Sequence, residues 1–173
     1  MTNHDPLSGA AIRKQPYGVL FVCTGNICRS PLAKFVFLDL IAQRGVTEMF
    51  TVDSCGTYSG HAGQGADPRT QMVAKLHGLD TTHTARPLRP FVDFDDFDLL
   101  LAMDRSHMTG MLRGGAPPEK VRMMRSFDPA LAGRSDAELD VPDPYYGGER
   151  GFEENYQMLV AACEGMLNTL MAG

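Results

Sequence analysis

The sequence contains no tryptophan, no excess of positive charge and no apolar run near the length of a membrane span. Crossing a bilayer as a helix takes about 20 predominantly apolar residues in a row, so no membrane-spanning segment is predicted. The net charge of −5 leaves no broad basic surface for nucleic acid or for an anionic membrane. Any site for an anion must therefore be local.

Cysteine is scarce, and the four residues of this type are Cys23, Cys28, Cys55 and Cys163. They are too scattered for a disulfide-rich domain, and they lack the paired spacing of a zinc site. Residues 1–18 contain no continuous apolar segment of the kind found in secretory signals. We therefore predict a cytoplasmic protein with free thiols and with neither metal nor cofactor.

From residue 17 onward, short apolar runs alternate with segments that have helical periodicity. The predicted strands are 17–23, 48–55, 97–103 and, more weakly, 120–124. The predicted helices are 31–44, 68–78, 105–111 and a last one with an apolar stripe from Phe152 to Leu170. This alternation predicts one α/β domain, residues 17–173, with a parallel sheet covered on both faces. Residues 1–16 have no periodicity and are predicted to form a flexible extension.

The first predicted strand leads into the loop CTGNICRS, which begins at Cys23 and precedes a helix that Pro31 can open. Parallel sheets bind ligands at this edge, where strands lead into helices. Backbone N–H groups and the positive end of the helix would converge on an anion, with Gly25 permitting the turn. Arg29 adds donors matched to phosphate. Such surroundings favour the thiolate form of Cys23, and Ser30 can donate a hydrogen bond to it.

This loop alone leaves open a buried structural cysteine at a strand end. Phosphoryl transfer through cysteine also needs a general acid on another loop at the same edge. The candidate is Asp143, which lies between two prolines in VPDPYYGG, with Tyr145 and Tyr146 as possible walls for an aromatic ring. Considered alone, that segment is better interpreted as a plain Pro-Gly turn. The two loops together favour the catalytic interpretation.

Over about residues 17–170 the chain resembles the low-molecular-weight protein tyrosine phosphatases. The stretches that carry the resemblance are, in order, VCTGNICRSP, DSCGT, DPR, HTAR, FDLLLAMD and DPYYG. It implies a single three-layer domain built on a four-stranded parallel sheet with helices on both faces. It also implies metal-free hydrolysis of phosphotyrosine, with Cys23 as nucleophile, Arg29 as the phosphate-binding arginine and Asp143 as general acid and then base.

The resemblance also implies roles for neighbouring residues. The remaining residues of the phosphate-binding loop are Thr24, Gly25, Asn26, Ile27, Cys28 and Ser30. A hydrogen-bonded network that holds this loop in shape is matched by Asn26, Ser30, Ser54 and His83, although His83 fits a satisfied core histidine equally well. Cys28 matches a thiol that forms a protective disulfide with Cys23 under oxidation, with a small buried residue as the alternative.

Two positions bear on the substrate. Ile27 matches the branch of the family that acts on phosphotyrosine, whereas a related branch that acts on phosphoarginine has threonine there. Gly60 lies where the family often has a tryptophan that forms one wall of the tyrosine slot, and Tyr58 is the expected substitute for that wall.

Cys55, in place of the usual alanine, is interpreted as a packing residue. The expected partner is a phosphotyrosine protein, for example a tyrosine kinase.

Two other functions are compatible with this fold and loop. An arsenate reductase would use relay cysteines, and residues 58–155 contain none, although an external thiol could replace them. A non-catalytic phosphotyrosine-binding module would be expected to lack Cys23, Arg29 or Asp143, and all three are present. We therefore expect a monomeric phosphatase that is inhibited by phosphate and vanadate.

Overall fold

The computed structural model describes residues 15–172. Its strands are β1 (Tyr17–Cys23), β2 (Phe50–Gly56), β3 (Leu99–Ala102) and β4 (Val121–Met123). Its α-helices are α1 (Arg29–Gln43), α2 (Pro68–Leu76), α3 (Pro90–Asp96), α4 (Arg105–Arg113) and α5 (Glu149–Met171). Short 3-10 turns occur at Thr47–Met49, Pro118–Lys120, Met124–Phe127, Pro129–Leu131 and Asp136–Leu139.

The four strands form one parallel sheet in the order β2-β1-β3-β4. Successive side chains of β1 point to opposite faces, as in any strand. Val19 and Phe21 enter the core under α1 and α5, whereas Leu20 and Val22 pack on the side of α3 and α4. Helices therefore cover both faces, and the predicted three-layer α/β domain is confirmed.

Helix α1 begins at Arg29, two residues before the predicted start, with Cys28 as its N-cap. Pro31 consequently lies inside the first turn rather than at its first residue. The position still suits proline, because N–H groups of the first turn have no partner within the helix. The end agrees with the prediction: Gly45 follows the C-cap with φ of 67°, a left-handed conformation that glycine adopts without steric cost.

Other boundaries differ modestly from the predictions. Helix α3 was not predicted, because seven residues are too few to show a helical pattern. Helix α4 continues to Arg113, and α5 begins at Glu149, within the stretch assigned to a loop. Residues 1–14 of the predicted N-terminal extension lie outside the described residues, so the extension stays a prediction. Within residues 15–172, no helix is long and apolar enough to cross a membrane.

Candidate active site

Cys23 is the last residue of β1, and the loop 24–28 connects it to α1. At the centre of this loop Asn26 adopts φ of 56°, the one positive value among the described non-glycine residues. Asparagine tolerates that region better than most residues. Its buried side chain donates to Ser30 Oγ at 2.8 Å and to Ser54 Oγ at 2.9 Å. The loop is thus tied to both α1 and β2 through one amide.

Cys23 and Ser30 face each other inside this loop. The Cys23 sulfur lies 2.9 Å from Ser30 Oγ, and both residues are buried. The Asn26 amide donates to Ser30 Oγ, and the hydroxyl hydrogen of Ser30 has two acceptors within reach, the Cys23 sulfur at 2.9 Å and the Cys55 carbonyl at 3.4 Å, of which the sulfur is nearer. A thiolate at Cys23 would therefore receive a hydrogen bond from Ser30, as the sequence predicted.

The segment HTAR holds Asn26 from the opposite side. His83 Nε2 lies 2.7 Å from the Asn26 carbonyl, and the Arg86 backbone N–H donates to Asn26 Oδ1 at 3.0 Å. The Arg86 side chain is itself fixed by Asp53 and Asp93, both at 2.9 Å. His83 was expected in this network. Arg86 was not predicted to belong to this network, although it lies in HTAR, one of the stretches that carry the resemblance.

Lys34 determines which nitrogen of His83 carries hydrogen. Lys34 Nζ lies 2.8 Å from His83 Nδ1, and an ammonium group can only donate. Nδ1 therefore accepts, and Nε2–H donates to the loop carbonyl. Burial lowers the pKa of both His83 and Lys34, which agrees with a neutral imidazole at this contact. Nothing in the sequence pattern indicated the contribution of Lys34.

The side chain of Arg29 is only 3% exposed and lies at the carboxyl ends of the central strands. Its Nη1 donates to Asp104 Oδ2 at 2.8 Å and to the Val141 carbonyl at 3.0 Å. Its Nη2 lies 3.6 Å from Asp143 Oδ2. Burial alone would raise the pKa of Asp104, but hydrogen bonds from Ser106 and Arg29 bring it down to about 2. The sequence pattern indicated no role for Asp104 in the site.

The predicted catalytic residues and slot walls surround one cleft of about 340 Å³, whereas Asn26, Ser30, Ser54 and His83 of the supporting network are not among its lining residues. The residues that line it are Cys23, Thr24, Gly25, Ile27, Cys28, Arg29, Tyr58, His61, Asp143, Tyr145 and Tyr146. Asp143 is half exposed, and its Oδ1 accepts the backbone N–H of Tyr145 at 3.0 Å. The tyrosines 145 and 146 meet edge to face, 4.9 Å between ring centroids. The two separate loops of the sequence thus meet at one cleft.

His61 is a lining residue that sequence reasoning missed. Its ring lies 6.0 Å from Tyr58 and 6.4 Å from Tyr145, between two predicted walls. A Cβ atom at Gly25 would lie only 2.9 Å from His61 Cδ2, so glycine permits this close approach. The signal that could have identified His61 is its place directly after Gly60, in a loop expected to supply a wall.

Arg69 connects the loop of Asp143 to helix α2. Its guanidinium lies 5.4 Å from the ring centroid of Tyr145 and 4.6 Å from that of Phe152. Asp67 receives hydrogen bonds from Arg69 Nε and Nη2, each at 3.0 Å, and also caps α2 through the Arg69 backbone N–H. The DPR stretch therefore fixes an arginine under one wall of the cleft.

Cys28 is buried at the N-cap of α1. Burial, followed by the charge of Asp67, raises the pKa of its thiol to about 12. Cys28 is therefore protonated at neutral pH. All four cysteines are free, and among residues 15–172 no cluster of three potential metal-ligating side chains is found.

Comparison with known proteins gives consistent matches. A family model described as low molecular weight phosphotyrosine protein phosphatase matches residues 18–173. A low molecular weight protein-tyrosine-phosphatase from Streptomyces coelicolor is 48% identical over 155 residues, which cover 87% of this chain and 92% of that protein.

Solved structures agree with that match. A protein tyrosine phosphatase from Entamoeba histolytica, crystallised with Hepes in the active site, superposes with a TM-score of 0.81. It is 38% identical, and the match covers 89% of this chain and 96% of that one. A Drosophila arginine phosphatase superposes with a TM-score of 0.77 at 33% identity, covering 87% of this chain and 95% of that one.

Proposed function

The chain belongs to the low molecular weight phosphotyrosine protein phosphatase family, and we propose that it hydrolyses phosphotyrosine in proteins through a phosphocysteine intermediate on Cys23. The observation that carries this proposal is the arrangement of three groups at one cleft. Ser30 contacts the sulfur at 2.9 Å, Arg29 lies buried beside the loop, and Asp143 approaches Arg29 to 3.6 Å. Nucleophile, anion-binding group and general acid are thus supplied by three elements.

In the first step the Cys23 thiolate attacks phosphorus, and the bond from phosphorus to the tyrosine oxygen breaks. Asp143 donates a proton to that leaving oxygen, so that no free phenoxide has to form. Arg29 and the loop N–H groups stabilise the negative charge on the other phosphoryl oxygens. The product is a phosphocysteine and a free tyrosine side chain.

In the second step Asp143, now ionised, takes a proton from a water molecule that attacks phosphorus. The phosphorus–sulfur bond breaks and returns the thiolate to Cys23. The hydrogen bond from Ser30 serves both steps, because it stabilises the sulfur anion as nucleophile and as leaving group. Inorganic phosphate then leaves the cleft.

The proposal of phosphotyrosine as the substrate class rests on the side chains that form the walls of the cleft. Ile27 presents an apolar side chain beside the loop, and the rings of Tyr58, His61 and Tyr145 surround the opening. A flat aromatic ring fits such walls better than a guanidinium group does. Phosphoarginine is the second candidate, because a structural neighbour is an arginine phosphatase. Inhibition by phosphate and vanadate, a monomeric state and a cytoplasmic location stay predictions.

The test compares matched peptides that carry phosphotyrosine, phosphoserine or phosphoarginine, with arsenate plus a thiol reductant as a further reaction. We expect turnover of phosphotyrosine alone, complete loss of turnover in Cys23→Ser with retained binding, and normal turnover in the control Cys163→Ala, whose sulfur is buried in α5. Near-full activity of Cys23→Ser would overturn the mechanism. Faster turnover of phosphoarginine would overturn the substrate class.

A further inference from the structure

The side chain of Thr24, directly after the nucleophile, contacts a histidine from a distant part of the chain. Thr24 is exposed at the cleft, and its Oγ1 lies 2.8 Å from Nε2 of His107. His107 belongs to α4, which follows β3 at the same edge of the sheet, and its side chain is 1% exposed.

The backbone of α4 determines the tautomer of His107. The N–H of Asp104 donates to His107 Nδ1 at 3.1 Å, as part of a capping box in which Asp104 also accepts from the backbone N–H of His107. Nδ1 is therefore an acceptor without hydrogen. Burial lowers the pKa of His107 to about 4, so the ring is neutral at physiological pH. Its single N–H is then on Nε2 and donates to Thr24 Oγ1.

This contact fixes the direction of the remaining hydrogen bond of Thr24. Its oxygen accepts from His107, which leaves the hydroxyl hydrogen free to donate. Within residues 15–172, Thr24 Oγ1 has no other hydrogen-bond partner, and Thr24 is an exposed residue that lines the cleft. The same cleft is lined by Cys23 and Arg29, the groups proposed to hold the phosphoryl group. A residue with a free O–H donor thus lines the cleft that is proposed to bind an anion.

We propose that the Thr24 hydroxyl donates a hydrogen bond to an oxygen of the bound phosphoryl group, and that His107 is a positioning residue that holds the hydroxyl in this donor orientation. The inference rests on the proposed function and adds a side-chain donor to the loop's backbone donors. The Thr24 hydroxyl is polarised because it accepts a hydrogen bond from His107, and this polarisation strengthens the hydrogen bond that it donates to an anion.

The charged groups around His107 are compatible with this role. Asp104 and Arg29 lie next to it and are paired with each other at 2.8 Å. The negative charges of Asp143 and Asp140, on the segment that precedes α5, also affect the pKa of His107. Asp140 is paired with Arg105 at 3.0 Å. Asp104 and Asp140 are thus each paired with an arginine, and Asp104 Oδ1 also lies 3.3 Å from His107 Nδ1, on the side of the ring away from Thr24.

The first test measures binding of inorganic phosphate by calorimetry, which does not depend on turnover. Thr24→Val replaces the hydroxyl by a methyl group of similar shape and should weaken phosphate binding about tenfold, the loss typical of one hydrogen bond to a charged group. Thr24→Ser keeps the hydroxyl and should restore most of that affinity. Unchanged phosphate binding in Thr24→Val, with only KM for aryl phosphates altered, would overturn the proposal and make Thr24 a wall of the slot.

The second test addresses His107. His107→Gln can accept from the Asp104 N–H and still donate to Thr24, so phosphate binding should stay near wild type. His107→Leu keeps apolar bulk without a donor and should weaken phosphate binding as Thr24→Val does, with no further loss when both are combined. An additional loss in the double variant would show a merely structural effect and overturn the positioning role. Thermal unfolding verifies that each variant is folded. If His107→Leu does not fold, His107→Asn takes its place in the test, because the asparagine side chain is too short to reach Thr24.

These outcomes are separable from those for the proposed function. An inactive wild-type protein, or an active Cys23→Ser, contradicts the phosphocysteine mechanism whatever Thr24 does. An active wild-type protein with equal phosphate affinity in Thr24→Val contradicts only the present inference.

Discussion

The aromatic ring of Tyr58 occupies the space in which a Cβ atom of residue 60 would lie, so that Gly60 and Tyr58 fit together as a pair. The ring extends from there toward His61, 6.0 Å away, and contributes to the lining of the cleft. A side chain at residue 60 and the observed position of Tyr58 exclude each other.

Gly60→Ala is expected to displace the Tyr58 ring and open one side of the cleft. Tyr58 is 57% exposed, so its side chain can swing into solvent at little cost in stability. KM for aryl phosphates should rise severalfold, while binding of inorganic phosphate stays unchanged, because the loop around Cys23 is not touched. Steady-state kinetics and calorimetry measure the two effects. Gly110→Ala, which adds a methyl group into open space, is the matched control; an unaltered KM in Gly60→Ala would contradict Tyr58 as a wall.

Asp143→Asn is expected to reduce kcat by about two to four orders of magnitude with little change in substrate affinity. The asparagine keeps the size of the side chain but cannot donate a proton to the leaving oxygen. In single-turnover measurements of the first step, the loss should be large for phenyl phosphate and small for an aryl phosphate whose phenol is strongly acidic, since such a leaving group needs no proton. An equal loss with both substrates would argue against Asp143 as the general acid.

Cys28→Ser is expected to change how the protein recovers from oxidation. Peroxide converts the Cys23 thiolate to a sulfenic acid, and attack by Cys28 sulfur would form a disulfide and release water. Wild-type activity should then return on addition of dithiothreitol, whereas in Cys28→Ser a second equivalent of peroxide should oxidise the sulfenic acid to a sulfinic acid, which dithiothreitol does not reduce. Because burial raises the pKa of the Cys28 thiol to about 12, disulfide formation should accelerate as pH rises. Mass spectrometry of the oxidised protein detects the bond; full recovery of Cys28→Ser would exclude this protective role.

The stability of the fold is expected to depend on pH through His107. Its pKa is lowered to about 4 by burial, from an ordinary value of 6.5, so the unfolded chain binds a proton in this window that the folded protein does not. Stability is therefore complete above pH 6.5 and falls as pH decreases to 4, by about 3 kcal/mol from this residue. Urea unfolding between pH 7 and pH 4 measures the loss. His107→Gln has no titratable ring and should lack this component; an identical pH profile in both proteins would refute the assignment.

Local patterns in the sequence were sufficient for most of the fold. The continuous apolar runs that became β1 and β3 predicted buried parallel strands, and the predicted end of the first helix at residue 44 coincides with the C-cap of α1. Helix α3 escaped prediction because a seven-residue acidic segment carries too little periodicity. The start of α1 was misplaced because the tertiary position of the loop, rather than Pro31, determines where helical geometry begins.

The residues of the candidate site also fall into those that the sequence indicated and those that it did not. Cys23, Arg29 and Asp143 were recognisable because the roles proposed for them require specific residue types in specific loops. His61, Lys34 and Arg69 were not, because each also contacts a ring that is distant in sequence, namely Tyr145 for His61 and Arg69, and His83 for Lys34.

The sequence by itself thus determined the alternation of strands and helices, the family and the loop that begins at Cys23. Those properties depend on the order of residues along the chain, and short-range patterns encode them. Only the tertiary structure decided that His107 contacts Thr24, because the two residues are 83 positions apart and meet only when β1 and β3 lie side by side in the sheet. The direction of that hydrogen bond, in turn, follows from the helix cap that holds the imidazole.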